Sequence, residues 1–234
     1  MKTVLLFLLI LYSVTSNSQQ TNHYKSYKDL IKPGWEIDTV IYGDLNGDKI
    51  NDIVLITIET NQEKFVKNDG LGNEILNTND RNITVLLANK NKTYSIVASN
   101  STFLPSPQSE ESPCLEDPLY NKSIFIKNNL LKINLHYWLS CGSWYVTNYT
   151  YTFRYQNLKL ELIGLDCNSF HRASGMEERN SVNFLTKKKQ TITGLNMFEK
   201  SESKPKEKWE TIKIDKLYNL STVTTDDVLG LVQL

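Results

Sequence analysis

The sequence has no net charge and few glycines and prolines, and these shortages exclude several classes of protein. Basic and acidic residues number 26 each, so no bulk attraction to nucleic acid or anionic lipid is expected. With only 10 glycines and 6 prolines, the chain has no Pro/Gly/Ser-rich linker, and one β-rich domain over residues 19–234 is predicted. No fixed-period repeat is present either, which disfavours a propeller or solenoid built by internal repetition.

Several motifs of catalysis and cofactor binding are also missing. The chain contains no Gly-rich phosphate loop and no Gly-x-Ser-x-Gly nucleophile elbow. His23 and His171 have no cysteine or histidine partner at metal-ligand spacing, so no zinc site is predicted. These motifs therefore assign no catalytic or organic-cofactor residue.

Long hydrophobic runs are absent except at the N-terminus. There Lys2 precedes an apolar run over residues 4–12, which is typical of a signal peptide and too short to span a bilayer. Small residues before Gln19 offer a cleavage site, so residues 1–18 are predicted to be removed from an exported, periplasmic or extracellular protein that is not an integral membrane protein. An amphipathic first strand or helix is the alternative, but residues 5–11 have no polar face.

Cysteine is scarce, with Cys114, Cys141 and Cys167 only. Export allows a disulfide to persist, and an odd count leaves at least one thiol free. Cys114 and Cys141 are the predicted pair because both lie in loops that bracket one predicted hairpin. Their bond is expected to stabilise the fold by roughly 3–4 kcal/mol; three unbridged thiols are the alternative.

The periodicity of the chain is mostly that of β-strands. Residues 52–58 are apolar on both faces, as in a central buried strand. Asparagine-containing turns follow several alternating segments and indicate hairpins. The predicted strand pairs are residues 39–42 with 52–58, 83–87 with 94–98, 123–126 with 130–139, and 145–155 with 158–165.

The remaining segments are predicted to be short helices and long loops. Helices are expected at residues 24–31 and 226–232, the second capped by Thr225. Polar composition indicates loops, too polar to bury, at residues 62–81, 99–118 and 199–208. The predicted fold class is all-β with minor α: a single twisted antiparallel sheet folded over, or a β-sandwich-like fold, with a short N-terminal helix.

One loop carries a metal-ligand pattern. Asp44, Asn46, Asp48 and Asp52 occupy positions 1, 3, 5 and 9 of this loop, and Ile50 at position 7 can contribute its backbone carbonyl. A hard cation such as Ca²⁺ needs oxygen donors at this spacing because a tightly turning backbone brings alternate side chains to one centre. The sequence therefore predicts a structural calcium site, and an Asx-rich turn that caps itself without metal is the alternative.

This loop resembles the calcium loops of the FG-GAP and VCBS type, whose pattern is Asp-x-Asn-x-Asp-Gly-x-x-Asp. Lys49 stands where that pattern has glycine, which makes the sharp turn harder to reach. A wider resemblance, over roughly residues 30 to 190, links the chain to a family of exported bacterial β-domain proteins. It implies a fold and a compartment but no activity. The segments that carry it are Gly43 to Asn46, Cys114 to Pro118, His136-Tyr137, Ser143-Trp144, Phe153 to Tyr155 and Leu162 to Gly164.

A second candidate site lies around one turn. His136, Trp138, Ser143 and Trp144 are close in sequence and are predicted to form a ligand surface for a protein or glycan. The alternative is a secreted hydrolase that pairs His136 with Cys141 or Ser143. An aromatic stripe over residues 145–155 has two interpretations as well, and core packing is favoured over an exposed ligand face. Taken together, the sequence favours a non-catalytic, calcium-stabilised binding or structural module.

Overall fold

The computed structural model describes residues 23–119, 123–198 and 204–232. It confirms the predicted all-β class, and every strand pair that it describes is antiparallel. The predicted signal peptide, residues 1–18, and residues 199–203 of one predicted loop lie outside the described residues. The strands are β1 (His23–Tyr24), β2 (Trp35–Gly43), β3 (Asp52–Glu59), β4 (Phe65–Lys67), β5 (Ile75–Asn77), β6 (Arg81–Ala88), β7 (Tyr94–Asn100), β8 (Ile124–Lys127), β9 (Leu130–Trp138), β10 (Tyr145–Gln156), β11 (Lys159–His171), β12 (Met176–Asn183), β13 (Lys188–Asn196) and β14 (Lys206–Thr211).

Two large sheets form the body of the fold. The first has five strands in the order β1-β7-β6-β3-β2, and the second has seven in the order β14-β13-β12-β11-β10-β9-β8. The second sheet curls into a half-barrel. Strands β4 and β5 form a separate small ribbon. Both large sheets contribute to one apolar core, so the arrangement is sandwich-like.

The core explains the aromatic stripe of β10. Tyr149, Tyr151 and Phe153 are all buried, and the Phe103 ring packs edge-on against the Tyr151 ring at 5.0 Å. Tyr145, at the start of the same strand, is 52% exposed. The stripe is therefore core packing over most of its length, as the favoured interpretation had it.

Strand β3 is buried on both faces, as predicted. Val54 and Ile56 belong to the main core, whereas Ile53 and Leu55 form a smaller cluster on the other face of the sheet. A 3-10 helix, Tyr27–Leu30, covers that cluster. It replaces the longer helix predicted over residues 24–31, and it begins at a capping box of Ser26 and Asp29.

The predicted hairpin turns are present. Asn128 and Asn129 have φ values of 54° and 58° between β8 and β9, the left-handed region that asparagine tolerates best. The next hairpin turns one residue later than expected, at Asn157 and Leu158.

The loop predictions were wrong in part. Strands β4 and β5 lie within residues 62–81, and β14 begins inside 199–208. The loop 99–118 was expected to be too polar to bury, yet Phe103 and Leu104 are in the core. The buried Arg81 anchors this loop, because its guanidinium donates to both carboxylate oxygens of Asp117, at 2.8 and 2.6 Å, and to the Pro105 carbonyl.

The C-terminal segment packs against the main core through Val228 and Val232. It contains the only α-helix of the described residues, α1 (Asp226–Leu229). Thr225 is at the N-cap position, as predicted, but its side chain makes no capping hydrogen bond. Thr224 does so instead: its hydroxyl accepts from the Asp227 N–H at 3.3 Å, and the Asp227 carboxylate accepts from the Thr224 N–H at 2.7 Å. Across the described part of the chain, no helix has the length and apolar character needed to cross a bilayer.

Candidate functional site

The predicted metal loop joins β2 to β3 at the place where the two sheets meet. Gly43 allows this approach, since a Cβ on it would lie 2.8 Å from the Ile126 side chain of β8. The Asn129 amide, in the β8–β9 turn, donates to the Asp44 carbonyl at 2.9 Å. The loop is therefore fixed to the second sheet at its first residue.

Asp44 shapes the first half of the loop. Its carboxylate accepts from the Gly47 N–H at 2.6 Å and from the Lys49 N–H at 2.9 Å. Desolvation raises the pKa of Asp44, but the N–H groups of Lys49 and Gly47, together with the Asn129 amide and the Asn46 N–H, outweigh it and lower that pKa below its ordinary value. Gly47 and Lys49 both have positive φ, 83° and 68°. Lys49 thus adopts a left-handed backbone conformation that glycine takes most easily, at some energetic cost.

Asn46 and Asp48 shape the second half through two successive Asx turns. The Asn46 side-chain oxygen accepts from the Asp48 N–H at 3.0 Å, and the Asp48 carboxylate accepts from the Ile50 N–H at 2.8 Å. The Asn46 amide also donates to the other Asp48 oxygen at 3.1 Å. Asn46 and Asp48 are exposed and Ile50 is half-buried.

Asp52 differs from the other loop residues because it is fully buried. Its two oxygens accept from the Leu45 N–H at 2.7 Å and from the Ala88 N–H at 2.9 Å. Burial raises the pKa of Asp52; the Ala88 and Leu45 N–H groups lower it in part. The negative charges of Asp48 and Asp44 raise it further. Asp52 therefore ties the loop to the end of β6, a role that the sequence pattern did not indicate.

The donor chemistry of this loop fits a hard cation. A carboxylate has about four lone-pair positions and an amide oxygen two, and Asp44, Asn46 and Asp48 each use only some of theirs on backbone N–H groups. Within residues 23–119, 123–198 and 204–232, however, no group of three or more His, Cys, Asp or Glu side chains converges as a metal-binding set. The five predicted donors lie on one loop, held by Asx turns.

The second candidate site is built around a disulfide between Cys114 and Cys141, whose Cα atoms are 5.4 Å apart. Because Cys141 is in this disulfide, it has no free thiol and cannot act as the nucleophile. The His136 Nδ1 lies 2.6 Å from the Asn148 side-chain oxygen, across the β9–β10 pair. The Ser143 hydroxyl accepts from the Tyr145 N–H at 3.1 Å. The structure thus brings His136 to Asn148 and removes Cys141 from the two nucleophiles that the hydrolase interpretation named.

The Trp138 and Trp144 rings of this site both contact the guanidinium of Arg172. The Arg172 guanidinium lies 5.3 Å from the Trp138 ring centre and 5.7 Å from that of Trp144, a cation–π arrangement. Arg172 also donates to the Leu139 carbonyl at 3.0 Å and to the Ser143 carbonyl. Trp144 is 62% exposed and lies beside the His171 ring. We call Trp138, Trp144 and His171 the aromatic patch.

Arg172 and His171 were not among the predicted site residues. His171 is the last residue of β11 and Arg172 follows it. Both lie far beyond the tryptophans along the chain, and the pairing of β10 with β11 brings them together. The sequence gives no periodic pattern for a long cationic side chain such as Arg172, so its position beside this turn could not be predicted.

The fold defines this protein as an all-β protein with an acidic loop between two neighbouring strands. No protein-family model, no curated protein and no solved structure matches the chain. The likeness of the loop to FG-GAP and VCBS calcium loops therefore stays a prediction.

Proposed function

We propose that this protein is an exported, calcium-stabilised β domain that serves as a non-catalytic binding or structural module. The observation that carries the proposal is electrostatic: on the β2–β3 loop, the negative charges of Asp48 and Asp44 raise the pKa of the buried Asp52. A divalent cation would relieve that repulsion. Asp44, Asn46, Asp48 and Asp52 would hold it with side-chain oxygens, and Ile50 with its carbonyl.

Calcium titration tests this site. With three carboxylates and a partly exposed loop, the expected dissociation constant is on the order of 10⁻⁴–10⁻³ M. At tenfold excess over that constant, Ca²⁺ should add about 1.4 kcal/mol of stability and raise the melting temperature by about 3–5 °C. Thermal unfolding in EGTA and in millimolar Ca²⁺, together with calorimetry, measures both quantities.

Matched variants locate the effect. Asp44→Asn and Asp48→Asn should remove most of the calcium-induced shift, because each replaces a charged donor. Asp69→Asn is the control: Asp69 is an exposed carboxylate that pairs with Lys67 in the region of the small ribbon. No heat and no thermal shift with Ca²⁺, or a shift that Asp44→Asn and Asp48→Asn leave intact, contradicts the proposal.

Export is supported by the disulfide between Cys114 and Cys141, since such bonds persist in oxidising compartments. The predicted signal peptide makes the mature protein begin near Gln19. Intact mass and N-terminal sequencing of the secreted product should show that start and the loss of two hydrogens for the disulfide. Retention of residues 1–18 in the exported product refutes the cleavage prediction.

The aromatic patch is proposed as the contact surface for a glycan or protein partner. The supporting observation is Trp144, which is 62% exposed while the cation–π contact with Arg172 keeps it in place. Exposed, rigid aromatic rings stack on sugars and anchor protein interfaces. Tryptophan fluorescence, titrated with soluble oligosaccharides, should change in the wild type and not in Trp144→Ala. Trp209→Ala is the matched control, since Trp209 is 59% exposed on β14. A response that survives in Trp144→Ala contradicts this assignment.

A further inference from the structure

A cavity of about 630 Å³ is lined by strands of the seven-stranded sheet. Strands β10, β11, β12 and β13 form its walls, and Val232 of the C-terminal segment closes one side. Its volume is within the range of small-molecule sites. Its lining contains no residue of the acidic loop. Tyr145 in the lining packs its ring edge-on against His171 of the aromatic patch at 5.0 Å.

The charged side chains that line this cavity are both acidic. Its lining, within the described residues, includes Glu177 and Glu178 and no Lys, Arg or His. Glu177 is already neutralised: its side chain is 9% exposed, pairs with Arg179 at 2.7 Å and accepts from the Asn168 amide at 2.5 Å. Glu178 makes no ion pair with any described residue, so it is the unbalanced charge of the cavity.

Glu178 is held in a fixed position. Its carboxylate accepts from the Asn180 amide at 2.8 Å. Asn180 is itself 5% exposed, and its side-chain oxygen accepts from the Thr191 hydroxyl at 2.6 Å. Burial raises the pKa of the Cys167 thiol to about 11, a hydrogen bond with Tyr149 lowers it, the charge of Glu178 raises it, and the charge of Lys189, outside the lining, lowers it. The Glu178 carboxylate therefore acts on Cys167, which also lines the cavity.

The rest of the lining suits a ligand with both polar and apolar parts. Tyr145, Tyr149 and Leu195 provide ring and aliphatic surface. Thr147 and Ser169 place a pair of hydroxyls 3.2 Å apart on neighbouring strands. An ammonium group gains from a carboxylate and from the faces of tyrosine rings at the same time. An anion would be repelled, and one unpaired carboxylate gives a metal ion too few oxygen ligands.

We propose that this cavity binds a small organic amine, with the ammonium group against the Glu178 carboxylate and the hydrocarbon part against Tyr145 and Leu195. The amine supplies the positive charge that the lining lacks, and its apolar part leaves water for the aromatic wall. This assignment does not depend on calcium in the β2–β3 loop.

Hexylamine, hexanol and hexanoate are the probes, because they share one apolar chain and differ in charge. In calorimetry with EGTA present, hexylamine should bind and the other two should bind at least about tenfold more weakly. Glu178→Gln should weaken hexylamine at least about tenfold, whereas Glu210→Gln, a charge removal on β14 outside the cavity, should leave it unchanged. Equal binding of hexanol and hexylamine, or unchanged binding to Glu178→Gln, overturns the proposal.

Cys167 provides an independent readout that places the ligand. It is the one cysteine left outside the disulfide, so a thiol reagent reports on the cavity alone. Hexylamine should slow its alkylation in the wild type and have no effect in Leu195→Trp, which fills the cavity. Binding without protection of Cys167 places the amine elsewhere and refutes the assignment. Both outcomes are separate from the calcium shift, so this proposal and the proposed function can fail independently.

Discussion

Replacing Asp52 with alanine tests how the acidic loop is held in the fold. The change removes the acceptor of two backbone N–H groups, those of Leu45 at 2.7 Å and Ala88 at 2.9 Å, at a fully buried position. A buried donor left without a partner costs about 1–3 kcal/mol, so the two together cost about 2–6 kcal/mol. Removing a buried charge that Asp44 and Asp48 repel offsets part of this cost. We expect a net loss of about 3 kcal/mol in the free energy of unfolding.

Urea unfolding in EGTA, followed by tryptophan fluorescence and circular dichroism, measures this loss. Asp52→Asn should cost less than Asp52→Ala, because the amide oxygen can still accept from one of the two N–H groups. Asp69→Ala is the control, since Asp69 and its partner Lys67 are 81% and 75% exposed and such pairs contribute little. A loss within about 0.5 kcal/mol for Asp52→Ala would place it among ordinary surface changes and refute the tie between the loop and β6.

Three further predictions concern the framework around the two sites. Asp117→Ala leaves the buried Arg81 guanidinium without its main partner and should lower the free energy of unfolding by about 3 kcal/mol in urea titrations. The double variant Arg81→Met/Asp117→Leu should lose less stability, because it removes both charges. An equal loss in the double variant contradicts the pairing argument. Reducing the Cys114–Cys141 bond, which spans 27 residues, should cost about 3.5 kcal/mol, measured as the difference between oxidised and reduced unfolding curves; overlapping curves contradict it. Burial raises the pKa of the Cys167 thiol in the folded protein to about 11. As the pH rises, the unfolded chain therefore loses the thiol proton before the folded protein does. The free energy of unfolding should fall by about 3 kcal/mol between about pH 9 and about pH 11. Cys167→Ala should remove that part of the pH dependence, and an unchanged slope refutes the assignment.

The hairpins were predictable because their signals are local. Asparagine at residues 128, 129 and 157 marks turns that need positive φ. Strand β3 carries apolar side chains on both of its faces, which predicts that both faces are buried. The donor spacing of the acidic loop is local in the same sense. What the pattern could not show is the contact of Asp52 with Ala88, which lies 36 residues further along the chain.

Strands β13 and β14 were missed because they bury little, and a predicted short strand ending at Thr186 marked the region of β12 without its bounds. Only Asn180 and Val182 of β12 are buried, and β13 and β14 have no buried residue. Strands that bury so few side chains have no need for the apolar alternation by which strands are detected. The amine-binding cavity escaped prediction for a related reason: its walls come from four strands and Val232, and no short window of sequence contains them.

The last strand of the curled sheet has a consequence for how the protein behaves when concentrated. All six residues of β14 are exposed, and its outer edge pairs with no other described strand. Lys206, Glu207, Lys208 and Glu210 crowd this edge with charge, and a neighbouring molecule that tried to extend the sheet would have to desolvate them. The charges therefore disfavour edge-to-edge polymerisation through β14, where Trp209 is the single apolar side chain.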